Sequence, residues 1–244
     1  MELDDQNTSV EVTNLTQAGF TVFRSLLDSE QISQLRVYAD TLMERCLERQ
    51  RNVGNVVHNL FRTDNVVPDF MFPNSLYLSR VWRVIEDILG RDFNLIEGFI
   101  HFSLPGSQTQ ELHLDIAHLF PAETFVTPPF ILAMHFPLCD FTPTSGGTRI
   151  YAGSHLRRDA PPRLEDEAPS DIVERTVMMS AGDVLLRDCR AWHAAGPNRS
   201  SEPRAMFSFA FSSSWFMTKA LVSEDLYFSL PPAARPLQTL LSGQ

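Results

Sequence analysis

The chain has 244 residues, 43% hydrophobic and 20% charged, which is ample apolar material for a packed core and excludes a disordered polar tract. Thirty acidic residues against twenty basic ones leave a net charge of −10, and no basic run is longer than Arg157-Arg158, so the stripe expected of a nucleic-acid binder is missing. No apolar run approaches the ~18 residues a membrane helix needs, and Cys46, Cys139 and Cys189 are odd in number and far apart, which excludes a small disulfide framework and favours a reducing compartment.

The opening MELDDQNTSV is acidic and polar, unlike a signal peptide, so a cytoplasmic location is expected. Residues 1–244 are read as a single domain with a helix-rich N-terminal third and a strand-rich core over about 93–215. Asp28 and Gln31 have the spacing of a capping box, and Ile32, Leu35, Ala39, Leu42, Met43 and Cys46 continue as a helical stripe. A second helix is expected to start after Asn74 and end at Gly90, a residue suited to a left-handed cap. Between the two lies a long loop from Arg51 to Pro73. It mixes Asn and Gly with Phe61 and Phe70, a composition that suits either a lid ordering over bound substrate or a fixed loop packed on the outside of the barrel.

From Phe93 the hydrophobic period changes to two. FNLIEGFIHFSL, PFILAMHFPL, TVMMS, DVLLRD and RAMFSFAFSSS read as strands. In the last, Phe207, Phe209 and Phe211 alternate with Met206, Ser208 and Ala210, so one face belongs to the core and the other lies elsewhere. Leu156 to Asp171 is polar and Pro-rich, as in a surface insertion. Helices followed by many short strands give a mainly β class with flanking helices.

ELHLDIAHLF, Glu111 to Phe120, places His113, Asp115 and His118 within six positions. On a strand, residues two apart face the same way, so His113 and Asp115 can converge on a metal. A third ligand is needed, from among His118, His135, His155 and His193. His118 lies on the opposite parity. His135 sits mid-strand, as a core histidine would, while His58 and His101 lack metal-like spacing. His193 follows a turn and a short apolar strand, DVLLRD, that would deliver it to the end of a barrel. Two imidazoles and a carboxylate on one face of a metal suit Fe(II) with open positions. Arg204, eleven residues after His193, offers a two-pronged hydrogen bond to the far carboxylate of an oxo-acid.

HLD, then TSGGTRIYAGSH, then AGDVLLRDCRAWHAAGPNRSSEPR together resemble the ordered motifs of the phytanoyl-CoA dioxygenase family of Fe(II)/2-oxoglutarate-dependent oxygenases. The similarity extends over Gln110 to Phe211, and AGFTVFRSLLDSEQISQLR resembles the family's opening strand and helix. The likeness is greatest to its natural-product, fungal meroterpenoid-type branch. It implies a double-stranded β-helix, a cupin-like jelly roll, with His113, Asp115 and His193 as iron ligands and Arg204 holding 2-oxoglutarate. Gln110 and Thr148 resemble further co-substrate positions, and His155 falls in a structural Gly-Ser-His turn with Gly153 and Ser154. Ala152 replaces the usual proline of that turn, and Ser145 stands where an asparagine commonly precedes Gly-Gly. Halogenating relatives carry a small residue in place of the carboxylate ligand, so Asp115 favours hydroxylation-type chemistry.

The expected function is therefore an iron-, 2-oxoglutarate- and O2-dependent oxidation of a hydrophobic small molecule without a CoA group, because no Lys/Arg cluster awaits its phosphates. Phe120, Phe125, Phe130 and Phe136 belong mostly to core packing, though their loops have the composition of an apolar pocket wall. Two alternatives stand beside this: the same chemistry on a polar, amino-acid-like substrate, and a non-catalytic partner subunit that retains the fold. The expected partners are a small-molecule substrate and at most a second copy of the chain, with neither nucleic acid nor membrane.

Overall fold

The structure is a computed structural model that describes residues 8–49, 55–59, 78–120, 122–216, 222–223 and 241–242. Its elements in order are α1 (Ser9–Ala18), β1 (Phe20–Phe23), α2 (Ser29–Arg49), β2 (Asn55–Asn59), α3 (Ser79–Leu89), β3 (Asn94–Ser103), β4 (Ile131–Pro137), β5 (Thr148–Ala152), β6 (Val173–Val177), β7 (Val184–Asp188), β8 (His193–Ala195), β9 (Arg204–Ser212), β10 (Val222–Ser223) and β11 (Leu241–Ser242). This is a mixed α/β fold built on two antiparallel sheets. The larger has the order β1-β7-β4-β9-β3-β2 and the smaller β6-β5-β8, while β10 and β11 form a short parallel pair.

Asp28 starts α2 as a capping box. Gln31 N–H donates to Asp28 Oδ1, and Asp28 N–H donates to Gln31 Oε1, both at 2.9 Å. Leu35, Ala39 and Leu42 are buried along one side of that helix. The first helix, α1, carries no cue singled out in the sequence; it ends at Gly19, whose φ of 85° sets the left-handed cap. Gly90 closes α3 with φ 94°, but its ψ of 159° lies outside the left-handed helical region expected there. The start of α3 was expected just after Asn74; Ser79 is its first residue, and residues 75–77 lie outside the described ones. Part of the expected lid is regular structure, because Asn55–Asn59 pairs with β3, Val57 opposite His101. The rest of the 51–73 segment lies outside the described residues.

The alternation in the strands decides which side of the large sheet does what. Phe207, Phe209 and Phe211 of β9, Leu132, Met134 and Phe136 of β4, and Val184 and Leu186 of β7 join one core cluster with the helical residues Leu35, Leu42, Val81 and Ile85. Burying each such side chain contributes roughly 1.5–3 kcal/mol. The helices therefore cover one face of the sheet. The opposite parity, including Ala133, Arg187, Ser208 and Ala210, is left to line a cavity. A second cluster ties the small sheet to the large one through Ile150 of β5, Val177 of β6 and Leu185 of β7.

Three local expectations are revised. The strand read at TVMMS lies earlier, at Val173–Val177, and β5 and β8 were not read as strands at all. All three belong to the small sheet, whose short segments carry little periodic signal. His113 and Asp115 are not on a strand; His113 makes only an isolated bridge with His193. Cys139 and Cys189 are free thiols, and no described helix is long and apolar enough to cross a membrane.

Candidate metal centre and its cavity

The segment Gln110–His113 runs beside β8. Gln110 N–H donates to Ala195 O at 3.0 Å, His113 N–H to His193 O at 3.0 Å, and His193 N–H to His113 O at 2.8 Å. This reciprocal bridge sets the two imidazoles side by side, with ring centroids 4.2 Å apart. Asp115, two residues after His113, is held against the turn after β7, its N–H donating to Cys189 O at 2.9 Å. Asp115 Oδ1 then stands 3.6 Å from His193 Nε2 and 3.9 Å from His113 Nε2. One ligand atom from each of the three lies within 4.8 Å of the others. His193 does not end β7, as expected, but begins β8 in the other sheet.

The remaining atoms of the triad explain why it fits a metal. His113 Nδ1 lies 2.9 Å from Glu111 O and His193 Nδ1 3.0 Å from Ala191 O. A carbonyl only accepts, so each Nδ1 carries the proton and each Nε2 presents a lone pair. Burial, with Arg187 nearby, pushes His193 down to about 3, which keeps it neutral and ready to coordinate. Asp115 Oδ2 is occupied by Arg187, whose Nη2 donates at 2.6 Å. Burial acts to raise the Asp115 carboxyl, but the charge and hydrogen bond of Arg187 and both histidines outweigh it and hold it well below the usual carboxylate range. Two imidazoles whose Nε2 atoms face the same point and an ionised carboxylate with one free oxygen are a suitable donor set for Fe(II).

Arg187 was missed in the sequence. Its signal is a charged residue inside the apolar run DVLLRD, on the parity opposite Val184 and Leu186. Its side chain is 2% exposed, and Asp115 is its carboxylate partner. The turn that follows is fixed by a buried pair: Arg190 Nη2 donates to Asp188 Oδ2 at 2.7 Å and Nη1 to Thr127 O at 2.8 Å. That turn supplies Cys189 O to Asp115 and Ala191 O to His193. Ser154 secures its far end, donating to Tyr151 O at 2.6 Å while accepting from Trp192 N–H at 2.8 Å.

Arg204 lies in the same cavity, 6% exposed. Nη1 donates to Ser145 O at 2.6 Å, Nη2 to Gly196 O at 3.2 Å, and the guanidinium sits 5.1 Å from the centroid of the Phe141 ring. No acid among the described residues is bonded to it. The Gly-Gly step has a steric cause: a Cβ on Gly146 would lie 2.4 Å from Pro197 O and 2.5 Å from Arg204 Nη1, at a φ of +82°. Because Ser145 meets Arg204 through its backbone oxygen, the contact does not require an asparagine there. Gln110 and Thr148 both line the cavity, and Gln110 Oε1 accepts from Ala195 N–H at 3.0 Å, leaving its amide nitrogen as a donor.

The other histidines separate clearly. His118 faces Arg157 O, away from the triad. His155 packs against Gly19 and faces Thr16 O at 3.1 Å, which is a structural role. His135 is buried but is not the satisfied core histidine expected: Nδ1 meets Ser208 Oγ at 2.5 Å, whereas Nε2 has no partner among the described residues and the residue lines the cavity. His101 lines it too. Phe130 and Phe136 are core, but Phe120 and Phe125 are 50% and 53% exposed and absent from the cavity wall, as are the described residues between them.

Burial lowers His101 to about 4, and His135 well below 6.5. As pH falls below 6.5, the unfolded chain binds protons at these residues that the folded chain does not bind until about pH 4 at His101. Stability therefore falls with pH across that window, by on the order of 1–3 kcal/mol for His101, with His135 acting in the same direction. Glu97, raised by burial and by Asp115, opposes this in part. Urea midpoints of the metal-free protein should drop between pH 7 and pH 5, and His101→Gln should reduce the drop. Equal midpoints at both pH values would contradict it.

A profile for phytanoyl-CoA dioxygenase matches residues 15–206. Dioxygenase andF of Emericella variicolor is 38% identical over 222 residues, covering 81% of this chain and 71% of that one. Dioxygenase trt7 of Aspergillus terreus is 26% identical over 200 residues, covering 78% and 68%. Among solved structures, the epimerase SnoN in complex with Fe3+, alpha ketoglutarate and nogalamycin RO superposes with a TM-score of 0.63 at 20% identity, covering 97% of this chain and 96% of that one.

Proposed function

This chain belongs to the phytanoyl-CoA dioxygenase family of Fe(II)/2-oxoglutarate-dependent oxygenases, and from that premise we propose that His113, Asp115 and His193 hold its iron while Arg204, Gln110 and Thr148 hold 2-oxoglutarate. One observation carries the assignment: the two imidazoles and the carboxylate converge in a cavity of about 500 Å³ that also contains a buried guanidinium with no acid bonded to it among the described residues. The protein is an oxygenase acting on a small hydrophobic molecule. The kinship with andF and trt7, and the SnoN structure with nogalamycin RO, support a secondary-metabolite intermediate as that molecule. The larger sheet and the β6-β5-β8 sheet both supply the cavity wall, which supports reading them as the two walls of a jelly roll within a single domain. The free Cys139 and Cys189 favour a cytoplasmic enzyme.

When bound, iron with 2-oxoglutarate and O2 supplies the oxidising power that removes hydrogen from the substrate, giving hydroxylation, desaturation or ring closure as 2-oxoglutarate becomes succinate and CO2. The chain's own residues do the positioning. Arg204 receives the distal carboxylate in a mostly water-free recess, where a charge-assisted bond is strongest. Arg187 reserves one oxygen of Asp115 so that the other is free for the metal. Ile96, Ile116, Ile131 and Phe99 form apolar walls that exclude water and seat a hydrocarbon skeleton. Anaerobic titration with Fe(II) and 2-oxoglutarate, then an O2-dependent screen of apolar metabolites, tests the reading. Succinate release coupled to a gain of one oxygen or a loss of two hydrogens supports it; no binding of either component overturns it.

Arg204→Ala removes the partner of a buried carboxylate, which costs on the order of 2–5 kcal/mol. The KM for 2-oxoglutarate should rise roughly 30-fold or more, with Fe(II) affinity little changed. Arg204→Lys should recover only part, because an ammonium lacks the planar fork. Gly146→Ala should resemble Arg204→Ala, since its Cβ would occupy the space of Nη1. An unchanged KM in Arg204→Ala would move the role to another residue.

A further inference from the structure

On β3 the direction of the side chains reverses once. Leu95 pairs with Phe211, but Glu97 pairs with Ala210, so Ile96 is an extra residue in the ladder, a β-bulge. Before the bulge, Phe93 and Leu95 point into the core beneath the helices; after it, that core receives Ile100 and Phe102. Glu97, Phe99, His101 and Ser103 consequently line the cavity. Without the bulge, Glu97 would share the parity of Leu95 and enter the apolar core. The bulge thus places a carboxylate in the cavity wall, and no described residue offers it a hydrogen bond or an ion pair.

The register shows what lies beside it. Across the sheet, Glu97 stands opposite Ala210, Ala210 opposite Ala133, and Ala133 opposite Arg187, the residue that holds Asp115. Two alanines between two charged side chains make a shallow trough about three strand spacings wide, roughly 14 Å. Ile96 and Ile131 cluster with Ala133, and Ile116 and Ala210 pack against them, so the trough is apolar. The charged residues lining the cavity are Glu97, Asp115, Arg187 and Arg204. The two acids balance the two arginines, and a divalent metal balances a doubly ionised 2-oxoglutarate. A neutral donor keeps this balance and an ammonium does not.

Building on the oxygenase reading, we propose that Glu97 is the specificity-determining residue of the site: it accepts a hydrogen bond from a hydroxyl group of the substrate, whose hydrocarbon skeleton lies over Ala133 and Ala210. The substrate class is then a compact, largely apolar molecule with a free hydroxyl at the end remote from the carbon that is oxidised. Glu97 selects and orients; it takes no part in the oxidation.

The test uses the full chain loaded anaerobically with Zn(II) in place of Fe(II) and with 2-oxoglutarate, titrated calorimetrically with three matched probes: decahydro-2-naphthol, its methyl ether and the corresponding amine. Wild type should bind the alcohol roughly tenfold or more tightly than the ether, the advantage expected of one hydrogen bond to a carboxylate. Glu97→Leu should erase that preference while leaving ether binding in place, and Glu97→Gln should keep part of it through the amide oxygen. Equal binding of alcohol and ether by wild type, a preference that survives Glu97→Leu, tighter binding of the amine, or no binding of any probe would each overturn the proposal. Metal and 2-oxoglutarate binding are measured before the probe is added. Their failure would strike the oxygenase reading, whereas lost alcohol selectivity with both in place concerns Glu97 alone.

Discussion

His193→Ala is expected to release no succinate above background, and its Fe(II) affinity should collapse, while the chain stays folded. In the proposed site the imidazole is one of three protein ligands; burial and Arg187 keep it neutral, and the Nδ1 contact to Ala191 O places its one proton away from Nε2. The backbone bridge to His113 does not depend on the side chain, so the frame of the site survives. His118→Ala should retain activity, because that ring faces Arg157 O away from the triad. His135→Ala should retain iron, because its Nδ1 is engaged by Ser208 and it is not a member of the triad. Iron binding by chelator competition and succinate release decide the matter. Normal turnover in His193→Ala alongside a dead His118→Ala would sink the assignment.

Arg187→Met should cost iron affinity without costing the fold. The guanidinium anchors Asp115 Oδ2, and loss of such an outer partner typically lowers metal affinity about 10–100-fold. Methionine fills most of the space of the arginine stem and brings no charge, and Asp115, whose side chain is 41% exposed, can be solvated once released. The reverse substitution behaves differently. Asp115→Leu leaves the 2% exposed Arg187 without its carboxylate, and an uncompensated buried charge costs about 3–5 kcal/mol. The thermal midpoint should therefore fall in Asp115→Leu but hardly in Arg187→Met, although both lose iron. Asp115→Asn, which keeps an acceptor for Arg187, is the cleaner probe of the ligand. Unchanged metal affinity in Arg187→Met would show that Asp115 needs no anchor.

Where local pattern carries the information, reading and structure agree. The Asp28 capping box is local by construction, since its two hydrogen bonds span three residues. The Phe207, Phe209, Phe211 alternation shows which side of β9 is core, because a strand offers only two faces. The cavity function of the other face is not written in that pattern: Ser208 and Ala210 would look the same on a solvated surface. β5 and β8 escaped notice for a related reason, being too short and mixed to show a period, and held by pairing with each other and with β6.

The amino-acid order by itself pointed to the chemistry through its family resemblance, with His113, Asp115, His193 and Arg204 as candidates in ordered motifs, and it showed a strand-rich second part behind a helical opening. These are properties of residue type and spacing, and they do not require knowing what touches what. Tertiary structure alone decided which groups tune that chemistry. Arg187 meets Asp115 because β7 packs beside β4 and the turn after it carries Cys189 against the metal segment, a juxtaposition of residues 72 apart. Glu97 enters the cavity because a single bulge in β3 inverts the side-chain parity. His135 lines the cavity because β9 sets Ser208 beside it. Long-range register fixes each of these contacts, and a one-residue shift in pairing sends every affected side chain to the opposite face.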